Sequence, residues 1–289
     1  MGLIKFKVPE GIKLFTTEFN NNCIILKNIK NFDLRETFDC GQAFRWEEDE
    51  NGKWSAVVKG KYITVEKKNS DIIMHGINET EFNSFFKCYF DLDRNYENII
   101  NKLSENEILK KAALNGSGIR ILNQEPWETL CSFIISQNNN IPRIKGIISR
   151  LCSAFGEKCE GGYSFPDACA LADLSEDDLA PLRSGFRAKY IIDAAKKVTS
   201  GAVILEDLKK MSLENARTEL MKIKGVGPKV ADCTLLFGLG HIDAFPQDVW
   251  IKRAMKELFN SELPECANQY AGIAQQYIFY YMRNQQASK

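Results

Sequence analysis

Residues 220–233 have the sequence LMKIKGVGPKVADC, and this stretch decides the interpretation of the second half of the chain. An amphipathic helix leads into a turn containing Gly225 and Gly227, and Pro228 opens a second helix because proline suits the first helical turn. Glycines permit positive φ and let another backbone come close, so the turn can offer free N–H groups to a phosphate. The stretch predicts a helical hairpin, although hairpins with glycine turns also occur as purely structural elements.

The hydrophobic pattern changes period near residue 116. Before it, short alternating segments predict antiparallel strands over 23–26, 44–46, 54–58, 62–65 and 72–74, with a helix over 79–92. After it, a helical period predicts helices over 126–136, 142–155, 188–199, 212–223, 228–239, 249–258 and 267–283. We therefore predict an α+β protein, with an antiparallel-sheet domain over 1–116, a helical domain over 117–289, and the site in the cleft between them.

Composition narrows the class of protein. The 38 Lys and Arg residues balance 38 Asp and Glu residues, so any nucleic-acid surface must be a local patch on a neutral body. Nine cysteines without CxxC pairs predict reduced thiols and neither an iron–sulfur cluster nor a zinc site. The N-terminus has no unbroken apolar stretch, so we expect no signal peptide and no membrane span. These features favour a cytoplasmic, bacterial, monomeric protein.

A carboxylate follows the hairpin. Residues 242–250 have the sequence IDAFPQDVW, which places Asp248 directly before the helix at 249. Asp248 could be only the N-cap of that helix. A loop carboxylate after a hairpin that carries Lys229 is nevertheless unusual, because a neutral lysine amine is a nucleophile and a carboxylate stabilises developing positive charge.

The hairpin, Lys229 and the FPQDV segment around Asp248 resemble the helix-hairpin-helix DNA glycosylase superfamily. In that superfamily, lysine at this position is typical of bifunctional glycosylase/lyases, and enzymes of the alkylpurine type lack it. The endonuclease III branch also has the lysine, but it usually carries a C-terminal iron–sulfur cluster that these cysteines cannot build.

Further matches resemble the 8-oxoguanine DNA glycosylase family. Residues 41–46, GQAFRW, are similar to its N-terminal block, whose glycine carbonyl, here that of Gly41, accepts a hydrogen bond from N7–H of 8-oxoguanine. Guanine lacks that proton. Gln275 and Phe279 match the pair that hydrogen-bonds and stacks on the flipped base, and Cys233 matches a pocket-lining cysteine. Phe279 and Cys233 could equally be ordinary core residues.

The resemblance also implies DNA contacts. Residues 136–143, SQNNNIPR, are similar to a loop whose Asn138 enters the gap left by the flipped base, while Arg143 and Arg187 hydrogen-bond the orphaned cytosine. The consecutive asparagines would also suit an ordinary turn. Gly225 and Gly227 would contact phosphate. The backbone carbonyls that could hold a monovalent cation are those of Met221, Ile223 and Val226.

Three residues depart from the family pattern. Phe186 stands where a tyrosine wedge is common, Phe237 where a methionine is common, and Trp250 where a histidine follows the aspartate. These departures concern the opposite base and the phosphate contacts, and leave the reaction unchanged.

The resemblance implies a nucleoid-associated enzyme without an organic cofactor that acts on double-stranded DNA containing 8-oxoguanine. Lys229 would form a Schiff base, Asp248 would assist, and β-elimination would cleave the strand. Two alternatives remain at this point: a glycosylase for alkylated bases or oxidised pyrimidines, and a DNA-binding module in which Lys229 only contacts phosphate.

Overall fold

An antiparallel sheet of six strands forms the N-terminal part of the protein, in a computed structural model that describes residues 14–20 and 23–287. The spatial order is β1-β2-β6-β5-β4-β3. The strands are β1 (Thr16–Asn20), β2 (Cys23–Lys27), β3 (Glu47–Glu48), β4 (Trp54–Val58), β5 (Lys61–Lys68) and β6 (Asp71–His75). Lys59 and Gly60 join β4 to β5 with positive φ at both residues, the turn geometry that matches the twist of a tight hairpin.

The helical part follows the sheet and confirms the predicted α+β class. Numbered along the described chain, the α-helices are α1 (Leu34–Phe38), α2 (Glu79–Glu81), α3 (Lys87–Tyr89), α4 (Tyr96–Leu103), α5 (Glu107–Asn115), α6 (Pro126–Ser136), α7 (Ile141–Phe155), α8 (Ala168–Ala172), α9 (Ala188–Thr199), α10 (Leu205–Leu208), α11 (Leu213–Leu220), α12 (Pro228–Leu239), α13 (Val249–Leu258) and α14 (Ala271–Ala287). Helices α1 to α3 lie with the sheet, and α4 to α14 form the helical part. A π-helical segment, Phe82–Phe86, joins α2 to α3. A short hairpin, β7 (Lys158–Cys159) and β8 (Gly162–Tyr163), interrupts the helices.

The predicted strand over 44–46 is wrong. Its aromatic side chains turn inward: Trp46 stacks on Phe38 with ring centroids 3.9 Å apart, and Phe44 meets Phe133 edge-on at 5.7 Å. Burying a ring of this size stabilises the fold by about 1.5–3 kcal/mol, whereas a further backbone pair at the sheet edge gives about 0.5–1.5 kcal/mol per hydrogen bond. Within residues 44–48, only Glu47–Glu48 therefore pairs with β4.

Two hydrophobic cores organise the molecule. One lies under the sheet and includes Ile24, Trp46 and Phe90, and the other fills the helical part. Helices α4 and α5 belong to the helical core, in which α5 packs against α14. Along the chain the change of core falls after Leu92, except that Cys40 and Phe44 belong to the helical core and Leu122 to the core under the sheet. The proposed domain limit between residues 116 and 117 stays a prediction.

Candidate active site

The hairpin turn joins α11 to α12, and its two glycines meet different surroundings. Gly225 has φ +80°, and a Cβ there would lie 2.4 Å from ring carbons of Tyr190, so a side chain does not fit. Gly227 has φ −100° and open space where its Cβ would be. No side chain in the described part of the chain caps the start of α12. The first-turn N–H groups of α12 are thus available to an incoming anion.

The hairpin is fastened to α9. The Asp193 carboxylate accepts a hydrogen bond from the backbone N–H of Lys224 at 2.6 Å, and the Lys197 ammonium donates to the carbonyl of Lys222 at 2.6 Å. Lys197 also pairs with Asp193 at 2.8 Å. These bonds fix the loop ahead of the two glycines and set the direction in which α12 leaves it.

Lys229 lies in the first turn of α12, half-buried, with its amine directed to the end of α6. Its Nζ donates to Ser136 Oγ at 3.3 Å and lies 5.0 Å from the ring centroid of Phe133, a cation–π distance. The Ser136 hydroxyl donates onward to the carbonyl of Phe133 at 2.9 Å, so its lone pairs remain for the amine. Two neighbours on α6 therefore hold the amine in place.

The position of Asp248 suits both roles that the sequence left open. Its Oδ1 accepts a hydrogen bond from the Ile251 N–H at 2.8 Å, so the residue is the N-cap of α13. Asp248 also lines the same pocket as Lys229. Because one oxygen makes the cap, the carboxylate is held rigidly and the second oxygen remains for the pocket.

The pocket has an interior of about 50 Å³. It lies between the segment around Gly41, the C-terminal part of α6, one face of α12, the loop before α13 and one face of α14. It brings together the six predicted catalytic and base-binding residues. Its lining consists of Cys40, Gly41, Phe133, Lys229, Cys233, Phe237, Pro246, Asp248, Gln275, Gln276 and Phe279. The site is thus assembled from distant parts of the chain.

Gly41 is positioned from two sides. Its φ is +85°, and a Cβ there would lie 3.6 Å from the ring of Phe279. Next to it, the buried Gln42 amide donates to the carbonyls of Thr37 and Arg120, both at 2.8 Å, and accepts from the Leu122 N–H at 2.9 Å. These bonds fix the Gly41 backbone against the wall that carries Phe279.

The polar groups of the pocket are largely shielded from solvent. Gln275 is 4% exposed and its neighbour Gln276 is 3% exposed. Burial raises the pKa of the Cys233 thiol to about 11, and the nearby Lys229 offsets this only in part. At neutral pH Cys233 is therefore a protonated thiol that forms a neutral wall and does not compete with the lysine as a nucleophile.

Sequence reasoning did not select Ser136, Phe133 or Gln276 as site residues. Ser136 begins the loop motif that was recognised, and Gln276 is a second polar residue beside the apolar face of α14, so both had a sequence signal. Phe133 had none, because an aromatic in a buried helix is normally core. Phe237, which stands where a methionine is common in the family, lines the pocket and stacks on Phe133 with ring centroids 5.4 Å apart.

The predicted DNA-contacting side chains lie outside the pocket lining. We call the group of Asn138, Arg143, Phe186 and Arg187 the outer rim. Asn138 is exposed with φ +48°, Arg143 is exposed, and Phe186 is 47% exposed. Trp250 is half-buried beside Asp248 on α13.

Arg187 is the exception in the outer rim, because it is only 3% exposed. Its guanidinium donates to the carbonyl of Gln137 at 2.9 Å, to that of Ser184 at 3.1 Å and to that of Asn138 at 3.0 Å. It also lies 4.5 Å from the ring centroid of Phe186. In this structure Arg187 ties the asparagine loop to the turn before α9.

Within 14–20 and 23–287 there is no group of three His, Cys, Asp or Glu side chains that could hold a metal ion. Nor does that part of the chain contain a helix long and apolar enough to cross a membrane.

Family comparisons cover most of the chain. Residues 24–130 match the model of the 8-oxoguanine DNA glycosylase N-terminal domain, and residues 131–269 match the HhH-GPD superfamily of base excision DNA repair proteins. The N-glycosylase/DNA lyase of Saccharomyces cerevisiae is 36% identical over 256 residues, which span 77% of this chain and 67% of the yeast protein.

Solved structures of DNA glycosylases resemble this chain as well. The Clostridium acetobutylicum 8-oxoguanine glycosylase/lyase, bound to double-stranded DNA with cytosine opposite 8-oxoguanine, superposes with a TM-score of 0.89 at 39% identity, covering 95% of this chain and 100% of that one. A 3-methyladenine DNA glycosylase from Archaeoglobus fulgidus superposes with a TM-score of 0.66 at 22% identity, covering 83% and 89%, which is similarity of fold alone.

Proposed function

This chain belongs to the 8-oxoguanine DNA glycosylase family, and we propose that it excises 8-oxoguanine from double-stranded DNA and then cleaves the strand at the abasic site. One observation carries the proposal. Lys229 and Asp248 line the same pocket as Gly41, Gln275 and Phe279, so a nucleophile and a carboxylate adjoin the groups expected to hold the base.

The base must leave the duplex to reach this pocket, at a cost of a few kcal/mol. We assign Phe279 to stacking on the flipped base, Gln275 to its Watson–Crick edge, and the Gly41 carbonyl to N7–H. Cys233 forms a neutral wall. The interior of about 50 Å³ is small, so the base enters by moving Phe279 away from Gly41.

The chemistry follows from the two catalytic groups. The neutral Lys229 amine attacks C1′, the C1′–N9 bond breaks, and its electron pair leaves with the base, which gains the proton that the amine loses. The Asp248 carboxylate stabilises the positive charge that builds on the sugar. Ring opening gives a protonated imine that acidifies C2′–H. Loss of that proton to a base breaks the C3′–O3′ bond and releases the 3′ phosphate.

The outer rim and the hairpin would position the DNA. In this proposal Asn138 fills the gap in the stack, Phe186 wedges beside it, and Arg143 and Arg187 contact the orphaned cytosine. Because Arg187 donates to loop carbonyls here, it reaches a base only by exchanging some of those bonds. Gly225, Gly227 and Trp250 would flank the phosphate backbone.

A monovalent cation at the carbonyls of Met221, Ile223 and Val226 also stays a proposal. It is supported by the intervening carbonyl of Lys222, which already accepts the Lys197 ammonium, so this part of the hairpin attracts positive charge. The absence of an iron–sulfur cluster, the monomeric state and a cytoplasmic, nucleoid-associated location are likewise our predictions.

Borohydride trapping tests the proposal and separates the alternatives. A duplex with one 8-oxoguanine should give a covalent adduct with the wild type, because borohydride reduces the imine to a stable amine. Lys229→Gln should give no adduct, whereas Lys256→Gln, at an exposed lysine on α13, should trap normally. A wild type that traps with duplexes carrying a damaged pyrimidine but not 8-oxoguanine would favour the first alternative. No adduct on any lesion would favour a DNA-binding module.

A further inference from the structure

A buried carboxamide oxygen in the pocket has no partner. Gln276 is 3% exposed and lines the pocket with Gly41 and Phe279. Its Nε2 donates to Gln275 Oε1 at 3.0 Å, while its own Oε1 has no hydrogen-bond partner within the described structure. Buried polar atoms are paired in the great majority of cases, and an unpaired one destabilises the folded state. An unpaired acceptor in a pocket wall therefore points to a donor that arrives with a ligand.

The orientation of the two neighbouring amides limits what that ligand can be. Because Gln276 gives an N–H to Gln275, it presents its oxygen as the remaining polar atom, and Gln275 Oε1 keeps one lone pair. The two neighbouring pocket residues thus retain acceptor capacity on both side-chain oxygens. A ligand edge that matches them carries adjacent donors, and a purine that has N1–H beside a 2-amino group has such an edge.

Resting on the proposed function, we propose that Gln276 determines specificity by accepting a hydrogen bond from the 2-amino group of the flipped base. Gln275 would accept from N1–H and the Gly41 carbonyl from N7–H. Each donor of 8-oxoguanine then has its own acceptor in the pocket. Gln276 would select a 2-amino purine over an otherwise identical base that lacks the amino group.

Two substrates that differ only in the 2-amino group test the contact between that group and Gln276. Single-turnover excision is measured on duplexes with one 8-oxoguanine or one 8-oxohypoxanthine, which lacks only the 2-amino group, each opposite cytosine. Gln276→Met keeps the length of the side chain and removes the acceptor. It should lower excision of 8-oxoguanine about tenfold and leave 8-oxohypoxanthine within about twofold, so the preference for the 2-amino base falls about tenfold.

The outcomes are separable. Equal loss on both bases would overturn the proposal, because it would mean that Gln276 acts only by holding Gln275, and an unchanged preference would overturn it too. Gln285→Met, at an exposed glutamine on α14, should match the wild type on both. If Gln276→Met does not fold, the wild type alone provides a test: it should excise 8-oxoguanine about tenfold faster than 8-oxohypoxanthine, and equal rates would refute the assignment. A wild type that excises neither base would instead refute the proposed function.

Discussion

The pocket and the outer rim differ in how their side chains are held. In the pocket, Asp248 is fixed by a helix cap and Lys229 by Ser136, so the two proposed reacting groups are held in place in the free protein. In the outer rim, Asn138 and Phe186 are exposed, and only Arg187 is buried. The difference separates two tasks. Fixed groups in a shielded pocket determine the rate of bond breaking, and exposed groups adapt to the duplex.

The largest expected effect comes from substituting Asp248 in the pocket. Asp248→Asn and Asp248→Ala should both slow single-turnover base excision, on the order of a thousandfold, because neither can stabilise positive charge. Asparagine is a good N-cap, so only the alanine variant should lose about 1 kcal/mol of unfolding free energy. If the excision rate of Asp248→Asn lies within threefold of the wild-type rate, Asp248 acts only as the N-cap of α13.

The hairpin glycines give the next effect, on stability rather than rate. Gly225→Ala should lower the unfolding free energy by about 2–4 kcal/mol, since positive φ is costly for alanine and its Cβ would overlap the ring of Tyr190. Gly227→Ala faces open space, so its stability should change by less than about 0.5 kcal/mol.

Urea denaturation measures both glycine variants, and fluorescence anisotropy on undamaged duplex measures DNA affinity. Gly227→Ala should weaken DNA binding severalfold if a phosphate approaches this turn. If Gly227→Ala binds DNA as tightly as the wild type, the hairpin does not contact a phosphate at this turn.

The smallest expected effect concerns the two arginines of the outer rim. Arg187→Ala should cost about 1–3 kcal/mol of unfolding free energy, because it leaves buried carbonyls without donors. Arg143→Ala should stay within about 0.5 kcal/mol of wild type, because its side chain is exposed. Both should reduce the preference for cytosine opposite the lesion, measured as a ratio of excision rates. If the ratio of excision rates is unchanged in both variants, neither arginine takes part in recognising the opposite base.

Local signals predicted much of the fold. Helices α6, α9, α12 and α13 begin and end where the helical period and their flanking residues placed them. Helix α11 ends earlier than predicted because the chain turns at Met221 to reach the glycines. Helices α4 and α5 were not predicted, although Tyr96, Ile99, Ile100 and Leu103 have helical spacing.

The candidate site was predicted only where a motif existed. The resemblance selected Lys229, Asp248, Gly41 and Gln275, and the structure brings them to one pocket. It could not show that Ser136 holds the lysine or that Gln276 lacks a partner, since both depend on which faces of distant helices meet. Arg187 was expected as a free contact to cytosine, and its burial depends on the same tertiary packing.

The walls of the pocket come from opposite ends of the chain. Helix α14 docks on the early segment partly through Arg283, which donates to the carbonyl of Asp39 at 2.7 Å, two residues before Gly41. A ribosome therefore completes the hairpin, Lys229 and Asp248 before it completes the wall that inspects the base. During synthesis, the Gly41 carbonyl, Lys229 and the hairpin are therefore present before Gln275 and Phe279 complete the pocket around the base. Docking of α14 against the segment around Gly41 is thus the step that closes the pocket proposed to select the damaged base.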